Sequence, residues 1–208
     1  MSAPGGTVVT RELRRQTVVR SLPPIVLAAL MWVSEIIDTV PGVDLDQYGI
    51  QPREVDGLTG IAAAPMLHAG FDHLVANTSV FVVLGLLVAW LTKHFWKVTV
   101  GVALLGGLAV WLVGAPQSVH IGASGLVYGY AAFLVVYGLV ARRVTAVIVA
   151  VVVFLVYGSI VWGVLPGQPG VSWEGHLFGA VAGLLLAVLL GRRDRRRARQ
   201  AAVGSGPA

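Results

Sequence analysis

A serine between glycines, in Gly122-Ala123-Ser124-Gly125, stands where a polar loop turns into an apolar run of membrane-spanning length. A hydroxyl is a poor nucleophile at neutral pH and becomes useful only when a neighbouring base takes its proton as it attacks. His176 is the natural base. It shares one helical face with Gly179 and Gly183, and small residues at that spacing let two membrane helices approach closely. Gly125 and Gly129 form the reciprocal pair on the Ser124 helix, so Gly125 lets the His176 helix come near, while Gly122 lets the loop turn into the helix. Tyr128, one turn below the serine, can pack on the imidazole or hydrogen-bond to it. Acyl transfer also needs donors for the developing oxyanion. The helix opening at Ser124 offers free backbone N–H groups and the positive end of its dipole, and His73 and Asn77, four residues apart, can add side-chain donors. For His68, five residues earlier, two uses stay open: lining the same pocket, or a structural hydrogen bond to loop backbone.

These side chains need elements to carry them. Hydrophobic residues make up 56% of the 208 and charged residues 12%. The apolar residues form blocks over 22–40, 74–91, 98–114, 124–141, 144–164 and 175–191 rather than periodic stripes. At about 1.5 Å rise per residue such blocks match a hydrocarbon core of about 30 Å. The expected fold class is therefore all-α: a polytopic membrane protein with six transmembrane helices. Of the fifteen Lys and Arg residues, all but Arg53 fall at one side of that arrangement, which predicts cytoplasmic termini; the expected location is the cell membrane. The loops over 41–73, 115–123 and 165–174 then face outward. The second, fourth and sixth helices enter from the outside, and their first turns carry His73 and Asn77, Ser124, and His176. Polar groups at that depth cost free energy unless paired or hydrated, so their common depth predicts a shared aqueous pocket.

The remaining features bound the organisation. Residues 1–20 read as a short cytoplasmic arm and 192–208 as a basic cytoplasmic tail, both too polar to bury a core and expected to be disordered, around a membrane domain over 21–191. The net charge of +5 sits at helix ends, with no soluble basic domain to bind nucleic acid; the arginine-rich tail is expected to meet anionic lipid. The first apolar block holds Glu35 and Asp38 and lacks a small-x-small cleavage site, so it reads as a retained helix rather than a signal peptide. The absence of cysteine removes thiol chemistry. His68, His73 and His176 could in principle ligate zinc, but no H-E-x-x-H helix exists, and no metal or cofactor is expected. The breaker-rich segment Pro166-Gly167-Gln168-Pro169-Gly170 is suited to a mobile lid. His94 and His120 receive no role.

Taken together, these residues resemble the rhomboid family of intramembrane serine proteases, in the basic six-helix form common in bacteria. The parts are Gly49-Ile50-Gln51-Pro52-Arg53 followed by Gly57-Leu58, then His68, His73 and Asn77, then the Gly122-to-Gly125 serine with Tyr128 four residues on, then His176 with Gly179 and Gly183. The resemblance implies a Ser–His dyad, Ser124 as nucleophile and His176 as general base and later acid, with no third carboxylate. It implies an oxyanion held by His73, Asn77 and the Ser124 backbone N–H, and Tyr128 stacked on the histidine. Two departures stand out: Gly175 precedes the histidine where alanine is frequent, and Phe178 stands where many members have a small residue. Phe178 and His68 are candidates for the substrate pocket. The implied function is hydrolysis of a transmembrane protein substrate near the outer leaflet. The alternative is a non-catalytic rhomboid-like protein that binds client helices. A small-solute transporter would call for repeated halves, and the chain has no internal symmetry.

Overall fold

With no water in the bilayer core to satisfy backbone N–H and C=O groups, so apolar a chain has to become helical. The computed structural model describes residues 5–142, 144–157, 162–168 and 170–204. Its helices are α1 (Gly5–Asp38), α2 (Gly60–Ala63), α3 (Phe71–Leu91), α4 (Phe95–Val113), α5 (Ser124–Ala141), α6 (Val144–Tyr157) and α7 (Trp173–Gly204). Among the described residues, α1, α3, α4, α5 and α7 are long and apolar enough to cross a membrane. The block at 144–164 is helical over Val144–Tyr157, and its residues 158–161 lie outside the described ones.

Two helices outrun their apolar blocks. The arm and tail expected to be disordered are helical from Gly5 and through Gly204. Extending an existing helix needs no new nucleus, and the Arg, Glu, Leu and Gln residues of the arm and the Arg, Ala and Gln residues of the tail are good helix formers.

The core is built on α5, whose Tyr130, Phe133 and Tyr137 are almost fully buried. A buried phenol needs a hydrogen-bond partner. Tyr130 donates to Thr99 Oγ1 at 2.7 Å, since the Thr99 hydroxyl hydrogen is committed to the Phe95 carbonyl at 2.8 Å. Tyr137 donates to Asp194 Oδ2 at 2.8 Å, and the same oxygen meets His94 Nε2 at 2.9 Å. This buried clasp ties α5, the turn between α3 and α4, and the arginine-bearing end of α7. The one carboxylate in the Arg192–Arg199 run is thus turned inward. Asp194→Ala removes the acceptor shared by two buried groups. It is expected to cost about 1–3 kcal/mol, read as a lower thermal unfolding midpoint in detergent micelles.

The closest helix pair is α5 with α7. A Cβ built on Gly179 would strike the Gly125 carbonyl, and one on Gly183 would strike the Gly129 carbonyl. Backbone meets backbone along this seam, so α7 is held at a fixed height against α5. Near the seam α4 also closes in, and a Cβ on Gly106 would lie 3.3 Å from the Gly179 nitrogen.

The segment between α1 and α3 is ordered, as its apolar stretch suggests. It runs through 3-10 turns at Asp46–Tyr48, Asp56–Leu58 and Ala64–Met66 around the short α2. Its Ile50 exchanges backbone hydrogen bonds of 3.0 and 2.9 Å with His120, which joins it to the loop before Ser124. Arg53 latches it to the end of α4: its backbone N–H donates to the Trp111 carbonyl at 2.9 Å, and its guanidinium to the Leu112 and Gly114 carbonyls at 3.2 and 3.0 Å.

Candidate functional site

Ser124 is the first residue of α5, and the turn before it is shaped by one glycine. Gly122 has φ +106°, a conformation that glycine adopts without the Cβ penalty. It has a second reason to lack a side chain: a Cβ there would come within 2.8 Å of His73 Cε1 and 3.0 Å of its Nε2. Its own N–H donates to the Ala64 carbonyl at 2.8 Å. The next N–H, of Ala123, donates to His68 Nε2 at 3.4 Å.

The tautomer of His73 follows from its neighbours. The Ala69 N–H donates to His73 Nδ1 at 3.3 Å, so in the neutral ring the hydrogen sits on Nε2, the nitrogen beside Gly122. His73 therefore offers a donor next to the serine loop. Asn77, one turn on, spends one amide hydrogen on the His73 carbonyl at 3.0 Å and keeps a second.

His176 lies in the first turn of α7. Its Nδ1 is 2.8 Å from the Gly163 carbonyl oxygen. A carbonyl only accepts, so Nδ1 carries the hydrogen and Nε2 is left with its lone pair. The Tyr128 ring stacks on the imidazole, with centroids 4.2 Å apart and planes 10° from parallel. Rotation of the histidine is thereby restrained from two sides. Ser124, Tyr128, His176, His73 and Asn77 all line one cavity of ≈ 670 Å³. Among the described residues no hydrogen bond joins Ser124 to His176, and such contacts commonly tighten only when substrate is bound.

The other candidates fall elsewhere. Gly125 lies on the seam between α5 and α7, within 3.4 Å of the Gly175 carbonyl for a built Cβ. His68 does not line this cavity; it is 1% exposed and serves as acceptor for loop backbone. Phe178 packs beside Ile50, Ala64 and Val110 and is not among the residues lining the cavity of Ser124 and His176. Among the described residues no three His, Asp or Glu side chains are grouped as a metal site requires. Pro169, in the segment read as a lid, lies outside the described residues.

Sequence reasoning missed His120, which is buried against Ser172 and Ser118, and the Gly163 carbonyl that orients His176. The first stands in a loop without periodicity, and the second is backbone. Neither leaves a signal in residue type or spacing.

Burial and the nearby His73 hold the His68 imidazole down to about 4 from its ordinary 6.5. An unfolded chain therefore binds this proton more tightly than the folded one between those values. The stabilisation is full above pH 6.5 and is lost as pH falls toward 4. Thermal unfolding midpoints are expected to drop across that window, and His68→Gln, which cannot titrate, should flatten the drop. An unchanged slope in the variant would discount His68 as the titrating group.

The chain is also similar in sequence to known proteins. Residues 56–193 match the family description Rhomboid domain. An uncharacterized protein of Mycobacterium tuberculosis is 43% identical over 201 residues, 91% of this chain and 83% of that protein. One of Mycobacterium leprae is 44% identical over 178 residues, 81% of this chain and 70% of its own. YdcA of Bacillus subtilis, provisionally named a rhomboid protease, is 30% identical over 139 residues, 64% of this chain and 67% of that protein.

Proposed function

From the premise that this chain belongs to the rhomboid family of membrane proteins, we propose that it is an intramembrane serine endopeptidase acting on transmembrane protein substrates. The observation that carries this reading is the state of His176: Nδ1–H is held by the Gly163 carbonyl and the ring by Tyr128, so a bare Nε2 is available in the cavity that holds the Ser124 hydroxyl.

In the proposed reaction the Ser124 oxygen attacks the scissile carbonyl carbon while its proton passes to His176 Nε2. The tetrahedral oxyanion is met by His73 Nε2–H, the second amide hydrogen of Asn77 and backbone N–H at the α5 N-terminus. His176 then gives its proton to the leaving amine, and an ester on Ser124 remains. Water, deprotonated by the same Nε2, cleaves that ester and restores the hydroxyl. No third carboxylate is required, because a backbone carbonyl fixes the tautomer that a triad aspartate would otherwise fix.

The substrate segment has to unwind first, since helical hydrogen bonds shield its carbonyls. Small residues at the cleavage site and helix-breaking ones beyond it suit that need. Access past α6 and the 165–174 loop, outer-leaflet cleavage and cytoplasmic termini in the cell membrane belong to the same proposal, resting on the basic residues and the family.

Purified protein in liposomes should cleave a reporter transmembrane substrate. A fluorophosphonate should block cleavage and label Ser124, and EDTA should leave the rate unchanged. Cleavage that survives complete fluorophosphonate treatment would sink the serine mechanism; no cleavage and no label would favour the client-binding alternative.

A further inference from the structure

His120 sits in the loop before Ser124, buried to 7% exposure, and each of its ring nitrogens faces a serine. Nδ1 is 2.6 Å from Ser172 Oγ and Nε2 is 2.8 Å from Ser118 Oγ. Every hydrogen in this group has a single direction. Ser118 donates its single hydroxyl hydrogen to the Ala115 carbonyl at 2.6 Å, because a carbonyl can only accept. Ser118 must therefore accept from His120, which puts the imidazole hydrogen on Nε2. In the neutral ring Nδ1 is then an acceptor, and Ser172 donates to it. With its hydrogen so directed, Ser172 Oγ presents a lone pair to the Gly175 N–H at 3.3 Å. The chain runs one way, from Gly175 N–H through Ser172, His120 and Ser118 to the Ala115 carbonyl, and uses every hydrogen once.

Burial pushes the His120 imidazole below its ordinary value, with Glu174 opposing in part, which agrees with a neutral ring.

Ser172 is the residue before α7, and its carbonyl accepts the His176 N–H at 3.2 Å. Its hydroxyl satisfies one of the orphan N–H groups of that helix. His120 and Ser172 also stand between two spaces: both line the large cavity with Ser124, and both line an apolar cavity of ≈ 50 Å³ that reaches Ile50, Val102 and Val110. The backbone of His120 is held as well, by its paired bonds to Ile50. A fixed loop residue thus grips the first turn of the helix that carries His176.

We propose that His120 is a positioning residue: by accepting the Ser172 hydroxyl hydrogen it sets the cap of α7 and so holds His176 at the height of Ser124. The catalytic consequence rests on the reading of Ser124 and His176 as nucleophile and base; the tautomer and the cap do not.

Two measurements test it. In protein labelled with 15N at histidine, His120 should be neutral with its hydrogen on Nε2, and His176 should carry its hydrogen on Nδ1. His120→Leu should leave His176 as a mixture of tautomers, while His120→Asn, which keeps an acceptor near the Nδ1 position, should preserve the single form. A His120 protonated on Nδ1, or a His176 unaffected by His120→Leu in protein with an intact unfolding transition, overturns the proposal. In the cleavage assay His120→Leu should lower kcat about 10- to 100-fold with KM little changed. His120→Asn should recover most of the loss. Ser172→Ala should match His120→Leu, and the double variant should be no worse than either single one. Additive losses in that cycle, or a defect confined to KM, also overturn it. A protein that neither cleaves nor labels would refute the protease reading alone, and the histidine spectra would still decide on His120.

Discussion

Replacing Ser124 with alanine is expected to lower cleavage of a reporter transmembrane substrate about 10⁴-fold or more, to the background of the assay. The size follows from what remains. Without the hydroxyl, His73, Asn77 and the α5 N-terminus still surround the site, but no atom can form the acyl intermediate. His176→Ala should fall as far, since an unassisted hydroxyl hardly ionises at neutral pH. The two losses should not add, because in the proposed reaction nucleophile and base act in one step. His73→Ala or Asn77→Ala removes only one of the proposed oxyanion donors and should cost about 10²- to 10³-fold. Each variant is compared at matched protein recovery by initial rates in liposomes. An active Ser124→Ala protein would remove the proposed chemistry altogether, whereas unaffected His73 and Asn77 variants would remove only the oxyanion assignment.

The second large effect concerns folding. In an exposed helix, glycine to alanine gains about 1 kcal/mol of helix propensity. At Gly183 the sign should reverse. The new methyl would meet the Gly129 carbonyl, which is backbone inside a packed helix and cannot rotate away. The helices must part, and overpacking of this kind costs about 1–3 kcal/mol or more. Gly183→Ala is therefore expected to lower the unfolding midpoint and to lose cleavage, since His176 rides two turns away on the displaced helix. Gly101→Ala makes the contrast: its Cβ would lie 2.8 Å from Leu186 Cδ1, the far end of a side chain that can shift. It should stay within about 1 kcal/mol of the parent. Equal unfolding midpoints for the two variants would mean that the seam is not where the fold is tight.

Much of this arrangement was legible from residue types. Apolar blocks of spanning length predict helices because the bilayer leaves the backbone no alternative, and small residues four apart predict a close helix pair. Ser124, His73, Asn77 and His176 could be grouped because each opens a helix at the same end, and the structure brings all four to one cavity. Helix ends were less legible: polar, arginine-bearing segments extend α1 and α7 from helices already begun in the apolar blocks, which hydropathy does not register. Least legible were contacts between residues far apart in sequence. His94 and Asp194 are 100 residues apart and His120 and Ser172 are 52 apart. Each is an ordinary polar residue until packing supplies its partner. The lone carboxylate in the arginine run was a visible oddity, yet nothing nearby in sequence indicated that it points inward.

Arg53, the basic residue that stands apart from the rest, has a different bearing once the chain is folded. Its guanidinium binds the last carbonyls of α4, which carry the partial negative charge of that helix. The contact is a charge against a dipole, partly open to water, and dissolved salt weakens such contacts. The glycine seam between α5 and α7 involves no charge, and salt does not reach it. Ionic strength therefore acts unevenly on this molecule, loosening the strap that brings Ile50 to His120 while the helix pair that carries Ser124 and His176 keeps its spacing.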